Sequence, residues 1–405
     1  KLRFDVNQTI NGWKIAYGVA AQAVSFNNNT FQVIRPEVRD NNNVVTQPAV
    51  TVNFNTNINF VKAGLFAQIG KRFFDNRLGI SAGIRADGNS FTNEGWNLLQ
   101  TFSPRISASY VLADRWNLNA SVGTYYKLPP YTILGFQQNN TFLNKNSDYT
   151  KSTHYVLGIE HLKSDATRFT LEGFYKAYSN VPISIRDGIS LANMGGDFNV
   201  LGNEAVRTNG TGRAFGFEFF AQQKLTKNFF GVFSYTYFKS EYTGTNGKYV
   251  PSAWDNRHLL SVTWGYKFKR NWELGLKFRY QGGAPYTPFD DVASRQNFLV
   301  LNQGILDYTR LNQNRLSAFH ASDVRIDKKW NFRKFTFDLF LDVTNWYIAR
   351  AANYPQYTFR RNANNTSFLT TDGQPIRPNG SNGIPLLLPN DEAQVTPTIG
   401  FIVEF

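Results

Sequence analysis

Acidic and basic residues two positions apart are the groups in this sequence that could carry chemistry. The segment Asp323-Val-Arg-Ile-Asp327-Lys-Lys329 has charges at every second position, and Asp338 and Asp342 follow in the next segment. Side chains two apart lie on the same face of a β-strand. Paired carboxylates can serve acid–base catalysis, but such pairs also arise by chance across adjacent strands with wet faces. We therefore interpret this set as a structural network on a polar surface.

Other catalytic signals are absent from the sequence. It has no cysteine, which excludes disulfides, thiolate zinc sites and a cysteine nucleophile. None of its four histidines has a nucleophile motif nearby: His154, His161, His258 and His320. We expect no enzyme activity, no cofactor and no metal site.

Composition narrows the class further. The 405 residues include 43 Lys and Arg against 29 Asp and Glu, a formal charge of +14. The basic residues are dispersed without a stripe, so nucleic acid is not a predicted partner. Aromatic residues make up 16% of the chain, which is too many for a disordered protein. No apolar run reaches the roughly 18 residues of a transmembrane helix.

Apolar and polar residues alternate almost from end to end, which predicts an all-β protein. In one example, Trp272, Leu274, Leu276, Phe278 and Tyr280 are interleaved with polar residues and glycine. The pattern predicts fifteen strands: 1–9, 13–34, 52–73, 79–91, 102–113, 116–129, 152–163, 167–181, 211–225, 228–243, 256–268, 272–284, 319–332, 334–347 and 395–405.

Short and long connections take turns between these strands. Turns such as Asn11-Gly12 are tight and rich in Asn, Asp and Gly, whereas alternate loops run to tens of polar residues. Aromatic residues cluster beside the short turns, as in an interfacial girdle. This layout predicts a transmembrane antiparallel β-barrel in a bacterial outer membrane. The long loops would be extracellular, and the short turns and C-terminus periplasmic.

Strand parity indicates that the barrel is larger than this sequence. A complete bacterial barrel has an even number of strands with both ends in the periplasm, yet the first strand here descends to a short turn. We expect residues 1–405 to form the C-terminal part of a barrel of about 22 strands, the size of plugged transporters. Strand 1–9 should then pair with a strand outside the sequence.

Several segments, in this order and spacing, resemble the barrel of TonB-dependent outer-membrane receptors. They are Phe102-Ser-Pro-Arg-Ile-Ser-Ala-Ser-Tyr110, Ser121-Val-Gly-Thr-Tyr-Tyr-Lys-Leu-Pro129, Tyr155-Val-Leu-Gly-Ile-Glu160, Leu171-Glu-Gly-Phe-Tyr-Lys-Ala-Tyr-Ser-Asn180, Gly210-Thr-Gly-Arg-Ala-Phe-Gly-Phe-Glu218, Trp254-Asp-Asn-Arg-His258, Gly282-Gly-Ala-Pro-Tyr-Thr-Pro288 and the final Phe405.

The resemblance implies a 22-stranded barrel closed by an N-terminal plug, with a short segment of the plug engaging the TonB complex. It also implies that Phe405 is the signal read by the barrel assembly machinery. Lipopolysaccharide is a further expected partner. Whether outer-membrane lipoproteins are also partners is left open by the sequence. The implied function is TonB-dependent uptake of a solute that the sequence does not identify. The alternative is a receptor-like barrel that serves as a scaffold subunit of a larger outer-membrane complex.

Two sets of residues are the candidate sites. Seven charged residues are expected to face the lumen or the plug: Asp323, Arg325, Asp327, Asp338, Asp342, Glu218 and Arg279. Five residues near the long loops are expected to contact a ligand, because loops on a rigid scaffold commonly carry function: Tyr126, Tyr131, Trp254, Arg257 and Tyr286.

Overall fold

A computed structural model describes residues 1–35, 37–39, 44–194 and 203–405. Its elements in chain order are β1 (Leu2–Ile10), β2 (Trp13–Arg35), β3 (Val38–Arg39), β4 (Val45–Gln47), β5 (Val50–Phe73), β6 (Leu78–Asn89), β7 (Arg105–Ala113), β8 (Trp116–Lys127), α1 (Tyr131–Leu134), β9 (Gln137–Gln138), β10 (Thr141–Phe142), β11 (Thr150–Leu162), β12 (Thr167–Ser184), β13 (Val206–Thr226), β14 (Phe229–Thr243), β15 (Tyr249–Pro251), β16 (His258–Lys267), β17 (Trp272–Gln281), β18 (Pro285–Tyr286), α2 (Asp291–Leu301), β19 (Asn314–Arg315), β20 (Phe319–Asn331), β21 (Thr336–Thr344), β22 (Ala351–Phe359), β23 (Pro385–Glu392) and β24 (Thr396–Glu404).

One antiparallel sheet contains the fifteen long strands, and the prediction of an all-β barrel wall with fifteen strands is confirmed. The strand order is β1-β2-β5-β6-β7-β8-β11-β12-β13-β14-β16-β17-β20-β21-β24, so each long strand pairs with the next one along the chain. The short strand β15 extends the sheet beside β14. In the described residues, β1 and β24 lie at opposite edges and do not pair with each other.

Tight turns fix the register of successive strands. Between β1 and β2, Asn11 and Gly12 have φ of 50° and 80°, as a two-residue hairpin of this type requires. The turns bring their flanking aromatic residues to one rim, where the ring of Trp13 lies 6.2 Å from that of Phe73. Neither helix of the described chain is long and apolar enough to cross a bilayer.

The polar faces of the strands line a concave wall. A single cavity of about 1130 Å³ touches Asn7, Gln68, Ser107, Asn119 and Glu172, which belong to strands from β1 to β12. Only a concave face brings side chains from strands so far apart in the sheet around one space. The polar set therefore faces inward, and residues such as Leu65, Leu339 and Leu341 face outward.

Aromatic rings also occur on the concave wall, where alternation alone predicts polar residues. Phe340 lies directly opposite Gly400 in the register, and a Cβ on this glycine would come within 2.4 Å of the ring. Phe230 covers Gly265 in the same way. Each ring packs over a backbone that lacks a side chain, which restores apolar contact at a weak point of the sheet.

Candidate functional site

Buried asparagines join the long loops at the end of the sheet opposite the tight turns. The side-chain amide of Asn144, which is 2% exposed, donates to the carbonyls of Ile133 and Glu204 at 2.7 and 2.8 Å. Its Oδ1 accepts from the backbone N–H of Val206 at 2.9 Å. Buried loop backbone must find partners, and this one side chain serves two loops at once.

Asn312 has the same role for three loops, one of which is the β12–β13 connection that Asn144 also contacts. Its Nδ2 donates to the carbonyls of Asn193 and Pro251 at 2.7 and 2.9 Å. These carbonyls belong to the β12–β13 and β14–β16 connections, while Asn312 belongs to the β17–β20 connection. Asn312 thereby joins the β12–β13, β14–β16 and β17–β20 loops into one surface, which we call the joined loop surface.

A buried carboxylate at Asp255 organises the centre of this surface. The side chain is 0% exposed and accepts the backbone N–H of Ser240 at 2.9 Å and Nε of Arg257 at 3.2 Å. Arg315 forms a second ion pair with it and also donates to the carbonyl of Gly283 at 3.0 Å. Buried charges require this degree of pairing, so Asp255 locks the β14–β16 loop to the β17–β20 loop.

Three of the five predicted ligand-contacting residues lie in the two loops that Asp255 joins. Trp254 and Arg257 flank it in the chain, with Trp254 53% exposed. Tyr286 lies in β18 opposite Asn314 of β19, and Arg315 is the next residue of β19. The ring of Tyr286 packs edge-to-face on Tyr354, 5.8 Å away, which adds the β21–β24 loop. The result is an aromatic and basic surface built on a buried acid.

The other two predicted contacts lie elsewhere. Tyr126 is on β8, and four strands lie between β8 and β16 in the sheet. Tyr131, in α1, accepts a hydrogen bond from Nζ of Lys62 at 2.7 Å, and its ring packs on Phe26 and Phe60 at 5.8 and 5.5 Å. Tyr131 thus belongs to an apolar cluster that packs α1 against β2 and β5 near the long loops. Its availability to a ligand stays a prediction, as does that of Tyr126.

An aromatic core joins the two longest loops. Phe298 of α2 contacts Tyr357 and Phe359 of β22, with ring separations of 5.9 and 4.9 Å. Burial raises the pKa of Tyr357 to about 12. Aromatic pairs at this spacing stabilise beyond their burial alone, so the β22–β23 hairpin is anchored rather than loosely attached.

Five of the seven charged residues that we expect to face the lumen form ion pairs, and one of these pairs differs from the pairing that the spacing predicts. Arg279 pairs with Asp323 at 3.1 Å and Lys329 with Asp338 at 3.4 Å, both across strands. Arg325, however, pairs with Asp327 on its own strand at 2.7 Å instead of with its register partner Asp342. Its guanidinium also lies 3.8 Å from the ring centroid of Phe340, a contact available only because that ring covers Gly400 on the same face.

Glu218 stands apart from this network. It lies directly opposite Glu172 in the β12–β13 register. Among the described residues, neither carboxylate has an ion-pair partner. Like charges directly opposite each other destabilise a sheet, so this pair is a local electrostatic cost that the barrel wall leaves uncompensated. No group of three or more acidic or histidine side chains in the described chain is arranged to hold a metal ion.

Sequence reasoning missed Asp255, Asn144 and Asn312. Each lies in an irregular loop, where neither spacing nor alternation marks a residue as buried. The one sequence signal for Asp255 is its place inside the segment Trp254–His258, which resembles the family in residue order and does not mark this aspartate as buried.

Comparison with known proteins agrees with this architecture. A family model described as TonB dependent receptor-like, beta-barrel, matches residues 1–345. A search of curated proteins finds no match.

Solved structures share the fold at low sequence identity. The ferric-catecholate import receptor Fiu from K12 E. coli gives a TM-score of 0.61 at 13% identity, covering 99% of this chain and 54% of that one. The ferric yersiniabactin uptake receptor FyuA from Yersinia pestis gives 0.57 at 13%, covering 99% and 52%. The copper transporter OprC gives 0.55 at 15%, covering 86% and 51%.

This chain spans about half the length of those receptors. Identities this low carry the fold and no further likeness. The family match, by contrast, extends over most of the sequence. Together with the continuous antiparallel sheet and its polar concave wall, it shows that the chain belongs to the TonB-dependent receptor β-barrels, a family of the outer membrane.

Proposed function

We propose that this chain is the barrel part of an outer-membrane receptor that takes up a solute by TonB-dependent transport. The observation that carries the proposal is the joined loop surface around Asp255. The loops joined by Asp255 include Trp254, Arg257 and Tyr286, and these side chains would face an incoming ligand. A rigid surface with aromatic and cationic groups suits capture of a ligand from dilute solution, because little ordering is needed on binding.

The orientation follows from the two classes of connection. The long loops carry the joined surface and would be extracellular, and the tight turns with their aromatic rim would face the periplasm. Lipopolysaccharide would surround the loops, and Phe405 would be read by the barrel assembly machinery.

The lumen wall fits a second contact, with a plug outside this sequence. Glu172 and Glu218 lie directly opposite each other in the register, and neither has a cationic ion-pair partner among the described residues. A basic group on the plug would offset their repulsion. The network around Asp323 and Arg325 would contribute polar contacts beside it. TonB would act through that plug.

A chelated metal is the first solute to test. Fiu and FyuA are described as receptors for ferric chelates and OprC as a copper transporter. An anionic or aromatic chelate would match the arginine and aromatic side chains of the loop surface. The scaffold alternative gains no support from these neighbours.

The test uses cells that express the full-length protein under metal limitation. Metal accumulation should require both this protein and TonB, and Trp254→Ala should lower accumulation at an unchanged amount of folded barrel.

Trp96→Ala is the matched control, because Trp96 is equally exposed at 53% but lies against the outward-facing Gly88. Accumulation that persists without TonB, or equal losses in the two variants, would contradict the proposal.

A further inference from the structure

The loop between β6 and β7 folds back along the outer face of the barrel. Gly88 is opposite Ala63 in the register and faces outward. A Cβ at Gly88 would lie only 2.6 Å from the ring of Trp96. Ala86 also faces outward, yet it is 7% exposed. The loop therefore covers the upper part of β6 on the side away from the lumen.

A groove of about 470 Å³ opens beneath this loop. Its floor is made by small and branched apolar residues of β2 and β5, including Val19, Ala63 and Leu65. Its sides are Phe4 of β1 and Trp96 of the loop, with further lining by Leu2, Ala21, Ala86 and Leu98. The charged residue of the lining, Arg3, is ion-paired with Asp5. The side chains that form the groove are almost wholly apolar, so water would fill it unfavourably.

The height of the groove places it within the membrane. Val19 is six residues above the start of β2, and Leu65 is eight residues above the end of β5. At about 3.3 Å per residue and a tilt of about 40°, these positions lie roughly 15 and 20 Å above the rim with the tight turns. The apolar band of such barrels is about 25 Å tall, so the groove lies in the half next to the long loops.

The loop itself is shaped for contact with hydrocarbon. Leu99 is 85% exposed and Phe102 is 45% exposed, in addition to Trp96. Between Ser90 and Phe102 the only charged residue is Glu94. The segment thus lacks the cations that would recognise a lipid phosphate, and Trp96, Leu99 and Phe102 give it an exposed apolar surface.

We propose that this groove holds an acyl chain of an outer-leaflet lipid, clamped between β1–β5 and the β6–β7 loop. The groove is continuous with the outward apolar faces of β2 and β5 below it, where Tyr17 and Ile69 are 42% exposed. It would take the hydrocarbon chain rather than the headgroup. The inference rests on the barrel and on its outer-membrane family, and it is independent of the solute.

The first test reads the environment of the loop in the full-length protein, in phosphatidylethanolamine–phosphatidylglycerol nanodiscs. This chain has no cysteine, so Leu99→Cys can carry a single nitroxide label. The label should collide with oxygen several-fold more than with a water-soluble nickel chelate. Lys248→Cys, on the exposed β14–β16 loop, should show the reverse. Strong collision with nickel at position 99 would place the loop in water, and protection from both reagents would mean that protein covers it. Either result overturns the proposal.

The second test fills the groove. Ala63→Leu should remove one tightly held lipid per barrel, counted by native mass spectrometry after detergent extraction of the full-length protein. Ala67→Leu adds the same atoms on the same face of β5 but outside the groove, and should retain that lipid. Equal lipid counts in the two variants would show that the groove holds no clamped chain.

Discussion

Replacing Asp255 by Asn should loosen the joined loop surface while leaving the barrel intact. An asparagine keeps the shape and still accepts the N–H of Ser240, so the loss falls on the ion pairs with Arg257 and Arg315. Hydrogen bonds to charged groups each contribute about 1.5 to 3 kcal/mol net. The two arginine side chains are 37% and 31% exposed, and solvent screening reduces both contributions. We expect local stability to fall by about 2 to 3 kcal/mol.

Hydrogen exchange measured by mass spectrometry on the full-length protein checks this. Segments around Ser240, Trp254 and Arg315 should exchange roughly 30- to 150-fold faster, since about 1.4 kcal/mol corresponds to a factor of ten. Strands far from the loops should exchange as in the parent.

Asp307→Asn is the control, because Asp307 is in the β17–β20 loop but pairs only locally, with Thr309 and Arg310. If Asp255→Asn leaves exchange around Ser240 unchanged, the carboxylate does not hold the loops together and the reasoning fails.

Three further predictions concern the wall, its last strand and one loop. Leu341 faces outward about 15 Å above the tight turns, so Leu341→Arg should lower barrel stability by about 2 to 4 kcal/mol in a folding assay in lipid. Asp342→Asn should lower it much less, because the face of Asp342 is hydrated. Equal losses in the two variants would mean that the outward and inward faces are wrongly assigned. Phe405→Ala should reduce the folded protein in the outer membrane far more than it reduces the stability of protein refolded in detergent, and unchanged outer-membrane levels would leave Phe405 as an anchor only. Hydrogen bonds from Thr309 and Arg310 lower the pKa of Asp307 from 3.8 to about 2. A lowered pKa stabilises the folded turn above pH 3.8, so protection of this loop from hydrogen exchange, corrected for intrinsic rates, should fall between pH 3.8 and 2 and should not do so in Asp307→Asn.

The sequence determined the barrel wall because alternation with period two is a local property. Every one of the fifteen predicted strands is present, with boundaries displaced by a few residues at most ends. Turn chemistry is equally local, since Asn11-Gly12 supports the positive φ that a hairpin needs. The assignment of Asp323, Asp327 and Asp338 to the polar faces of their strands also needs only the period-two alternation.

Tertiary structure decided everything that depends on which strands and loops meet. The register between strands placed Glu218 opposite Glu172 and the ring of Phe340 over Gly400. Arg325 contacts this ring and pairs with Asp327 on its own strand. Loop packing buried Asp255 and joined the loop of Trp254 and Arg257 to the loop of Tyr286. It also placed Tyr131 in an apolar cluster. These outcomes have no local signal, because an irregular backbone has no period to mark its inner face. Whether a loop side chain is buried depends on the polar groups that other loops leave unpaired, and those groups are distant in the chain.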